Sequence, residues 1–235
     1  MTGRLFGLGV GPGDPELLTL KALRLLRAAD VVAYPAPEEG ASFARSIVAR
    51  WLDRAQREIA IRVPMRLGPV PAGAYDAGAA ALAAELERGN DVALLCQGDP
   101  LLYGSFIELF ARLAGRCEVE IVPGVSSPSA GAAAARLPLV SRDESLLVLP
   151  ATLAEAEFRR RLAAADTVVV VKLGRHLAKI RRVLDRLGLL DRASYVERAS
   201  LPDERVLPLA AVEGDAAPYF SLAIVRPQRT ESTHS

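Results

Sequence analysis

Cysteine and histidine are scarce in this chain of 235 residues, which holds only Cys96, Cys117, His176 and His234. Two cysteines argue against a disulfide framework, and the four residues do not have the spacing of a thiolate or imidazole metal site. Cys96 ends an apolar run, which favours a buried packing residue over a nucleophile, because no histidine partner occurs in a recognisable motif. The sequence therefore predicts no protein-bound metal.

Long apolar runs and an excess of one charge are also missing. No window approaches the roughly 18 apolar residues that a membrane-spanning helix requires. The 29 lysines and arginines nearly balance the 28 aspartates and glutamates, so the formal net charge is +1. We therefore expect neither nucleic acid nor a membrane as a partner. The first residues show no signal-peptide pattern, and a cytoplasmic location is expected.

Short apolar runs alternate with helical periods along the chain. Strands are predicted at residues 4–10, 30–34, 58–63, 91–96, 119–122, 146–149, 167–171, 194–197, 205–208 and 219–225. Helices are predicted at residues 15–28, 42–52, 75–88, 105–113, 129–135, 153–163 and 177–187. The nearly continuous apolar strands and their alternation with helices favour a parallel sheet covered on both faces.

Pro123-Gly124 is the predicted domain boundary. We expect an amino-terminal α/β domain at residues 1–122, a second α/β domain at 123–228 and a disordered tail at 229–235. Few helices separate the last strands, so antiparallel strands are expected in the second sheet. The predicted fold class is α/β, with two domains of mostly parallel sheets, the second mixed, and a ligand cleft between them.

A glycine-rich loop, residues 7–15, follows the first strand. Glycines there permit positive φ angles and close approach of the backbone. A dinucleotide-binding loop is the alternative, but Pro12 and Asp14 stiffen the turn and place a carboxylate where a pyrophosphate would bind. The second strand also ends in Ala33-Tyr34-Pro35 instead of an acidic residue for a ribose. Asp14 is open to two interpretations, a ligand contact or a simple helix cap.

Two further loops follow later strands. Gly98 and Asp99 come after the strand at 91–96, and ligands of parallel sheets bind beyond the carboxyl ends of strands. A tight Asp-Pro turn that only redirects the chain is the alternative. The turn at residues 123–130 carries Ser126 and Ser127, which either cap the next helix or contact a ligand.

Together these three loops resemble the tetrapyrrole methylase superfamily. Residues 9–22 match its signature GxGPGDPELLTLKA, and the Gly-Asp-Pro loop and the Pro-Gly-Val-Ser-Ser turn follow in the same order. The resemblance extends from about Leu5 to Val225. Within the superfamily the sequence is most similar to the precorrin-2 C20-methyltransferase branch, on segments 33–35, 103–106, 171–175 and 219–222. Gln97 stands where that branch is expected to carry a carboxylate.

The resemblance implies the tetrapyrrole methylase fold, a homodimer, and S-adenosylmethionine bound between two α/β domains. It implies methylation of precorrin-2 at C20, giving precorrin-3A in cobalamin biosynthesis. The alternatives are a cobalt-loaded substrate, another corrin carbon, uroporphyrinogen III, an RNA or protein acceptor, or a non-catalytic ligand-binding relative. The residues implied in donor binding are Pro12, Gly98, Asp99, Leu102, Tyr103, Ser105, Ser126, Ser127, Leu173 and Ala199.

A tetrapyrrole with eight carboxylates requires cationic or N–H partners. Lys172 is the first candidate, because a lone charge ends a strand of four valines, and Arg175 and Asp14 are further substrate-binding candidates. Other cations that could serve are Lys21, Arg136, Arg142 and Arg198. Asp99 is the best candidate for a catalytic base, with Asp14, a substrate carboxylate or water as alternatives.

Overall fold

The computed structural model describes residues 2–63 and 72–227, and the chain divides into two units between Ser126 and Ser127. The sequence-based boundary lies at 122/123, and the predicted disordered tail at 229–235 lies outside the described residues. No helix in the described ranges has the length and apolar content to cross a membrane.

The first unit contains a five-stranded sheet in which every strand is parallel to its neighbours, in the order β3-β2-β4-β1-β5. Its strands are β1 (Leu5–Gly9), β2 (Val31–Ala36), β3 (Arg57–Arg62), β4 (Val92–Cys96) and β5 (Val119–Val122). Its helices are α1 (Leu20–Ala28), α2 (Phe43–Val48), α3 (Ala72–Glu87) and α4 (Phe106–Leu113). Short 3-10 turns occur at Pro15–Leu17 and Ala49–Trp51.

Helices cover both faces of this sheet, which explains the continuous apolar strands. Successive residues of a strand point to opposite faces. Leu5 therefore packs in one buried cluster with α3 and α4, while Phe6 packs in another with α1 and α2. The prediction of a parallel α/β sheet is confirmed for this unit.

The helix predicted at residues 15–28 is wrong at its start. Asp14 Oδ1 accepts the N–H of Glu16 at 2.8 Å and caps only a 3-10 turn, after which Leu18 is extended. The α-helix begins at Leu20, where Thr19 Oγ1 accepts the N–H of Ala22 at 3.2 Å. Asp14 and Thr19 both act as N-caps, and an N-cap residue requires a non-helical backbone. The segment therefore forms a 3-10 turn and a separate α-helix, although its apolar pattern is continuous.

The second unit contains a mixed five-stranded sheet in the order β6-β7-β10-β8-β9. Its strands are β6 (Leu146–Pro150), β7 (Thr167–Val171), β8 (Ala193–Glu197), β9 (Arg205–Pro208) and β10 (Ser221–Val225). Its helices are α5 (Ser127–Ala135), α6 (Glu155–Leu162) and α7 (Leu177–Arg186), with 3-10 turns at Gly174–His176, Leu190–Arg192 and Leu209–Ala211. β6 and β7 are parallel, whereas β10 is antiparallel to both β7 and β8. The prediction of a mixed second sheet is confirmed.

Helices of different composition cover the two faces of the second sheet. Phe158 of α6 and Ile180 of α7 are buried in the larger cluster with Val168 and Val170. The alternate strand residues, such as Val169, pack in a smaller cluster with the alanines of α5. The small side chains of α5 allow its backbone to lie near β8 and β10, and a Cβ at Gly131 would lie 2.9 Å from Leu222 Cδ2.

Thr167 at the start of β7 is fully buried, and its Oγ1 has no hydrogen-bond partner among the described residues. A buried hydroxyl without a partner carries an uncompensated desolvation cost. Thr167→Val should therefore raise the free energy of unfolding by about 1 kcal/mol, measured by urea denaturation. Thr19→Val is the matched control, because it removes a capping hydroxyl and should lower stability by about 1 kcal/mol. A loss of stability in Thr167→Val would contradict this account.

Candidate functional site

Three loops leave the same edge of the first sheet. β1 lies between β4 and β5 and is parallel to both, so the chain continues from all three carboxyl ends at one edge. The loops begin at Val10, Gln97 and Pro123. This edge is where parallel α/β sheets bind ligands.

Backbone hydrogen bonds fix the first two loops to each other. The N–H of Gly98 donates to Gly11 O at 2.7 Å, and the N–H of Gly11 donates to Gly98 O at 3.3 Å. Both glycines have positive φ angles, 79° at Gly11 and 67° at Gly98. Residues with a Cβ rarely adopt this conformation, so the paired turn requires glycine at both positions.

The Asp99 carboxylate joins the second loop to the third. Its Oδ1 accepts the N–H of Leu101 at 2.9 Å, and its Oδ2 accepts the N–H of Gly124 at 3.1 Å. In the part of the chain that the structure describes, no lysine or arginine forms an ion pair with Asp99. Among the described residues, its carboxylate is therefore contacted by backbone N–H groups and by no cationic side chain.

Close backbone contacts also hold the three loops together. A Cβ added to Gly124 would lie 2.1 Å from Gly98 O and 2.8 Å from Gly9 Cα. A Cβ added to Gly9 would lie 2.4 Å from Gly124 N. These distances are too short for any side chain, so the loops can pack in this way only because Gly9 and Gly124 lack one.

The other predicted residues of the first unit differ in their exposure. Pro12 is buried, whereas Leu102 and Tyr103 are exposed large side chains on the second loop. The backbone of Tyr103 is in the left-handed region, with φ 57°. Ser105 and Ser126 are half-buried. The structure thus brings Gly98 and Asp99 into direct contact with the first and third loops, while the side chains of Leu102 and Tyr103 are exposed.

Asp14, predicted to bind substrate, lies in the first loop of the first unit, and the remaining predicted residues lie in the second unit. β7 and β8 are both antiparallel to β10, so their carboxyl ends lie at the same edge. Lys172 follows β7 and Arg198 follows β8, with φ angles of 58° and 53°. Leu173 is fully buried, Arg175 is exposed and Ala199 is half-buried. Ser127, also predicted, is the exposed first residue of α5.

Burial shifts two titratable side chains near these segments, Cys96 and His176, towards their neutral forms. Burial, and to a smaller extent the charge of Asp99, raises the pKa of Cys96, so the thiol stays protonated at neutral pH. Burial lowers the pKa of His176, and the charges of Lys179 and Arg175 lower it further. Within residues 2–63 and 72–227, no group of three or more His, Cys, Asp or Glu side chains could hold a metal ion.

Sequence reasoning named Asp99 as a candidate but did not predict the contact between Gly9, Gly98 and Gly124. The available signal was a glycine at the carboxyl end of each of three strands. That signal indicates where glycine is needed but does not show which backbone segments come into contact. Asp99 and Gly124, for example, are 25 residues apart in the sequence.

Comparison with known proteins places these features in a family. The sequence profile of the Tetrapyrrole (Corrin/Porphyrin) Methylases matches residues 4–213. The cobalamin biosynthesis protein CobIJ of Mycobacterium bovis is 47% identical over 232 residues, which cover 95% of this chain and 46% of that protein. The chain thus spans about half the length of that relative.

Two further proteins match over nearly their whole length. The precorrin-2 C(20)-methyltransferase of Sinorhizobium sp is 45% identical, and the match covers 95% of each chain. The structure of uroporphyrin-III C-methyl transferase from Thermus thermophilus complexed with S-adenyl homocysteine is similar with a TM-score of 0.69 and 29% identity. That match covers 95% of this chain and 92% of the other.

Proposed function

The chain belongs to the tetrapyrrole (corrin/porphyrin) methylase family, and we propose that it methylates C20 of precorrin-2 with S-adenosylmethionine, giving precorrin-3A. The observation that carries this proposal is the similarity to the Sinorhizobium methyltransferase, which extends over nearly all of both chains. The intact Gly-Asp-Pro loop and glycine-rich first loop support a catalytic protein over a relative that only binds ligands.

From the family resemblance we assign donor-binding residues in each unit, taken separately. In the first unit the assigned residues are Pro12, Gly98, Asp99, Leu102, Tyr103, Ser105 and Ser126. In the second unit Ser127 contributes a hydroxyl and Ala199 contacts the adenosyl group. Leu173, also predicted at the adenosyl group, is fully buried in the apolar core and exposes no surface to a ligand. The S-adenyl homocysteine named for the Thermus structure is the demethylated form of this donor and supports this class of ligand.

The donor loops of the first unit fit a sulfonium ligand in charge and in apolar surface. A carboxylate without an ion pair attracts a positive sulfonium, and Asp99 has no such pair among the described residues. Leu102 and Tyr103 offer exposed apolar surface on the same loop.

S-adenosylmethionine supplies an electrophilic methyl group: a new C–C bond forms at C20 as the S–CH3 bond breaks, and S-adenosylhomocysteine leaves. The protein's part is to hold the two reactants in line, which can contribute up to roughly 7–11 kcal/mol to lowering the barrier. The proton on C20 must then leave. Asp99 is our candidate for its acceptor, since each carboxylate oxygen keeps a second lone pair beside the backbone bond it accepts.

Substrate carboxylates require cations, and we assign Lys172 and Arg175 to them. Both side chains are exposed and follow β7 within four residues. Asp14 is assigned to the pyrrole N–H groups, for which a carboxylate is a suitable acceptor. The family resemblance also supports a homodimer and a cytoplasmic location, which complete the proposal.

The test is an anaerobic turnover assay with the purified full chain. Freshly made precorrin-2, either metal-free or loaded with cobalt, is incubated with S-adenosylmethionine, and the products are analysed by mass spectrometry. We expect a gain of one methyl group, which carbon labelling and NMR should locate at C20. The form of substrate that is turned over identifies the metal state on which the protein acts.

Two other results have distinct meanings. Donor binding without methyl transfer to either form would contradict the precorrin-2 assignment, and uroporphyrinogen III would be the next acceptor to assay. Failure of the folded protein to bind S-adenosylmethionine would contradict the assignment of the donor itself.

A further inference from the structure

The turn after β8 places two residues that are not glycine in left-handed backbone conformations. Arg198 has φ 53° and Ser200 has φ 67°, on either side of Ala199. A Cβ disfavours this conformation, so two such residues within three positions require support from their surroundings.

The base of the turn is fixed to the sheet. The N–H of Arg198 donates to Phe220 O at 2.7 Å, and the Arg198 guanidinium pairs with Asp203. Just before it, the buried Glu197 accepts the Tyr195 hydroxyl at 2.6 Å and the Arg205 guanidinium at 2.9 Å. These contacts determine where the turn begins.

A hydrogen bond to Glu204 stabilises the far side of the turn. The Oε2 of Glu204 accepts the N–H of Ser200 at 2.7 Å. Glu204 is exposed, and within the described ranges no lysine or arginine pairs with it. Among the described residues, the carboxylate of Glu204 therefore contacts only the N–H of Ser200.

Ala199 lies between Arg198, whose N–H bonds to Phe220 O, and Ser200, whose N–H bonds to Glu204. It packs on the apolar cluster beneath α5 and is half-buried. Among the described residues, neither its N–H nor its C=O has a hydrogen-bond partner. The turn therefore has a backbone donor and an acceptor that a ligand or water can use.

We propose that Glu204 is a positioning residue of the donor site, which holds the strained turn so that Ala199 faces the adenosyl group of S-adenosylmethionine. The inference rests on the proposed function, which assigns Ala199 to that group. Glu204 itself does not touch the donor. Its effect is exerted through the N–H of Ser200, which requires an oxygen acceptor and is bound more strongly by a carboxylate than by a neutral amide.

The test compares Glu204→Ala and Glu204→Gln in the full chain by isothermal titration with S-adenosylmethionine. Loss of the carboxylate should raise the dissociation constant about 10- to 100-fold, as expected for loss of a hydrogen bond to a charged group. The glutamine amide oxygen can still accept the N–H through a weaker, neutral hydrogen bond, so Glu204→Gln should lose only about 3- to 10-fold in affinity. Glu213→Ala is the matched control, since Glu213 is an exposed glutamate of the same unit.

Kinetics separate positioning from a general loss of structure. In Glu204→Ala the KM for the donor should rise, whereas kcat at saturating donor and the KM for the tetrapyrrole should remain near wild type. Binding of S-adenosylhomocysteine should weaken as much as binding of the donor. A defect that weakens donor and tetrapyrrole equally would overturn the proposal, and so would equal losses in the alanine and glutamine variants.

Donor binding by the wild-type protein separates a failure of the Glu204 role from a failure of the proposed function. If wild type binds the donor and Glu204→Ala binds it equally well, only the role of Glu204 is overturned. If folded wild type binds no S-adenosylmethionine, the proposed function fails as well.

Discussion

Replacing Asp99 with alanine should weaken S-adenosylmethionine binding about 10- to 100-fold while leaving the protein folded. The carboxylate accepts two backbone N–H groups, from Leu101 and from Gly124, and so joins two of the three loops. Its removal also takes away a negative charge proposed to face the sulfonium. Isothermal titration of the purified full chain measures the change, with circular dichroism to confirm the fold.

Asp53→Ala is the matched control for this variant. Asp53 is an exposed loop aspartate of the same unit whose Oδ1 accepts the N–H of Ala55 at 2.9 Å, the same two-residue spacing as Asp99 and Leu101. Its replacement should leave donor affinity unchanged. Unchanged affinity in Asp99→Ala would remove Asp99 from the donor site.

Asp99→Asn separates the binding role from the proton acceptor. Asparagine keeps one carbonyl oxygen, so part of the loop contact survives, but its amide cannot take up a proton. If Asp99 is the base, turnover at saturating donor should fall by at least about 100-fold in Asp99→Asn. Turnover near the wild-type value would assign proton removal to another group.

Gly124→Ala should have the second large effect, a fall in kcat/KM of about 100-fold. The added Cβ would lie 2.1 Å from Gly98 O, and both are backbone-fixed atoms that no side-chain rotation can separate. The third loop must therefore move away from the first two, and Asp99 loses its bond to the Gly124 N–H. The strain should also lower the free energy of unfolding by about 1–3 kcal/mol.

Gly73→Ala tests whether this effect is specific to the loops. No heavy atom lies within 4 Å of the Cβ position at Gly73, which belongs to α3. Because alanine favours helix, the free energy of unfolding should stay equal or rise by up to about 1 kcal/mol. Steady-state kinetics and urea denaturation of both variants provide the comparison, and wild-type activity in Gly124→Ala would contradict the packing argument.

The local elements of this protein were largely predictable from its sequence. Apolar runs such as Val92–Cys96 and Thr167–Val171 identify strands covered on both faces, since a strand exposed on one face would alternate with polar residues. The start of the first helix was predicted wrongly, because Asp14 and Thr19 are both good caps and the apolar pattern does not say which one begins an α-helix.

The site was predictable only as separate segments. The glycines and Asp99 stand at strand ends in the sequence, and their order resembles that of a known family. Which loops touch depends on strand order, and β4-β1-β5 are neighbours although β1 and β4 are far apart in the chain. The bond from Gly124 to Asp99 follows from that order and cannot be read from spacing.

The sequence by itself determined the two α/β units, the parallel and mixed character of their sheets, and family membership, because burial and strand-end glycines leave local patterns in the chain. Only the tertiary structure decided the position of β10 between β7 and β8, the contact of Gly9 with Gly124, and the hydrogen bond from Ser200 to Glu204. These features depend on distances between backbones that come together only when the sheets form, and one missing Cβ or one carboxylate then determines whether the loops can pack.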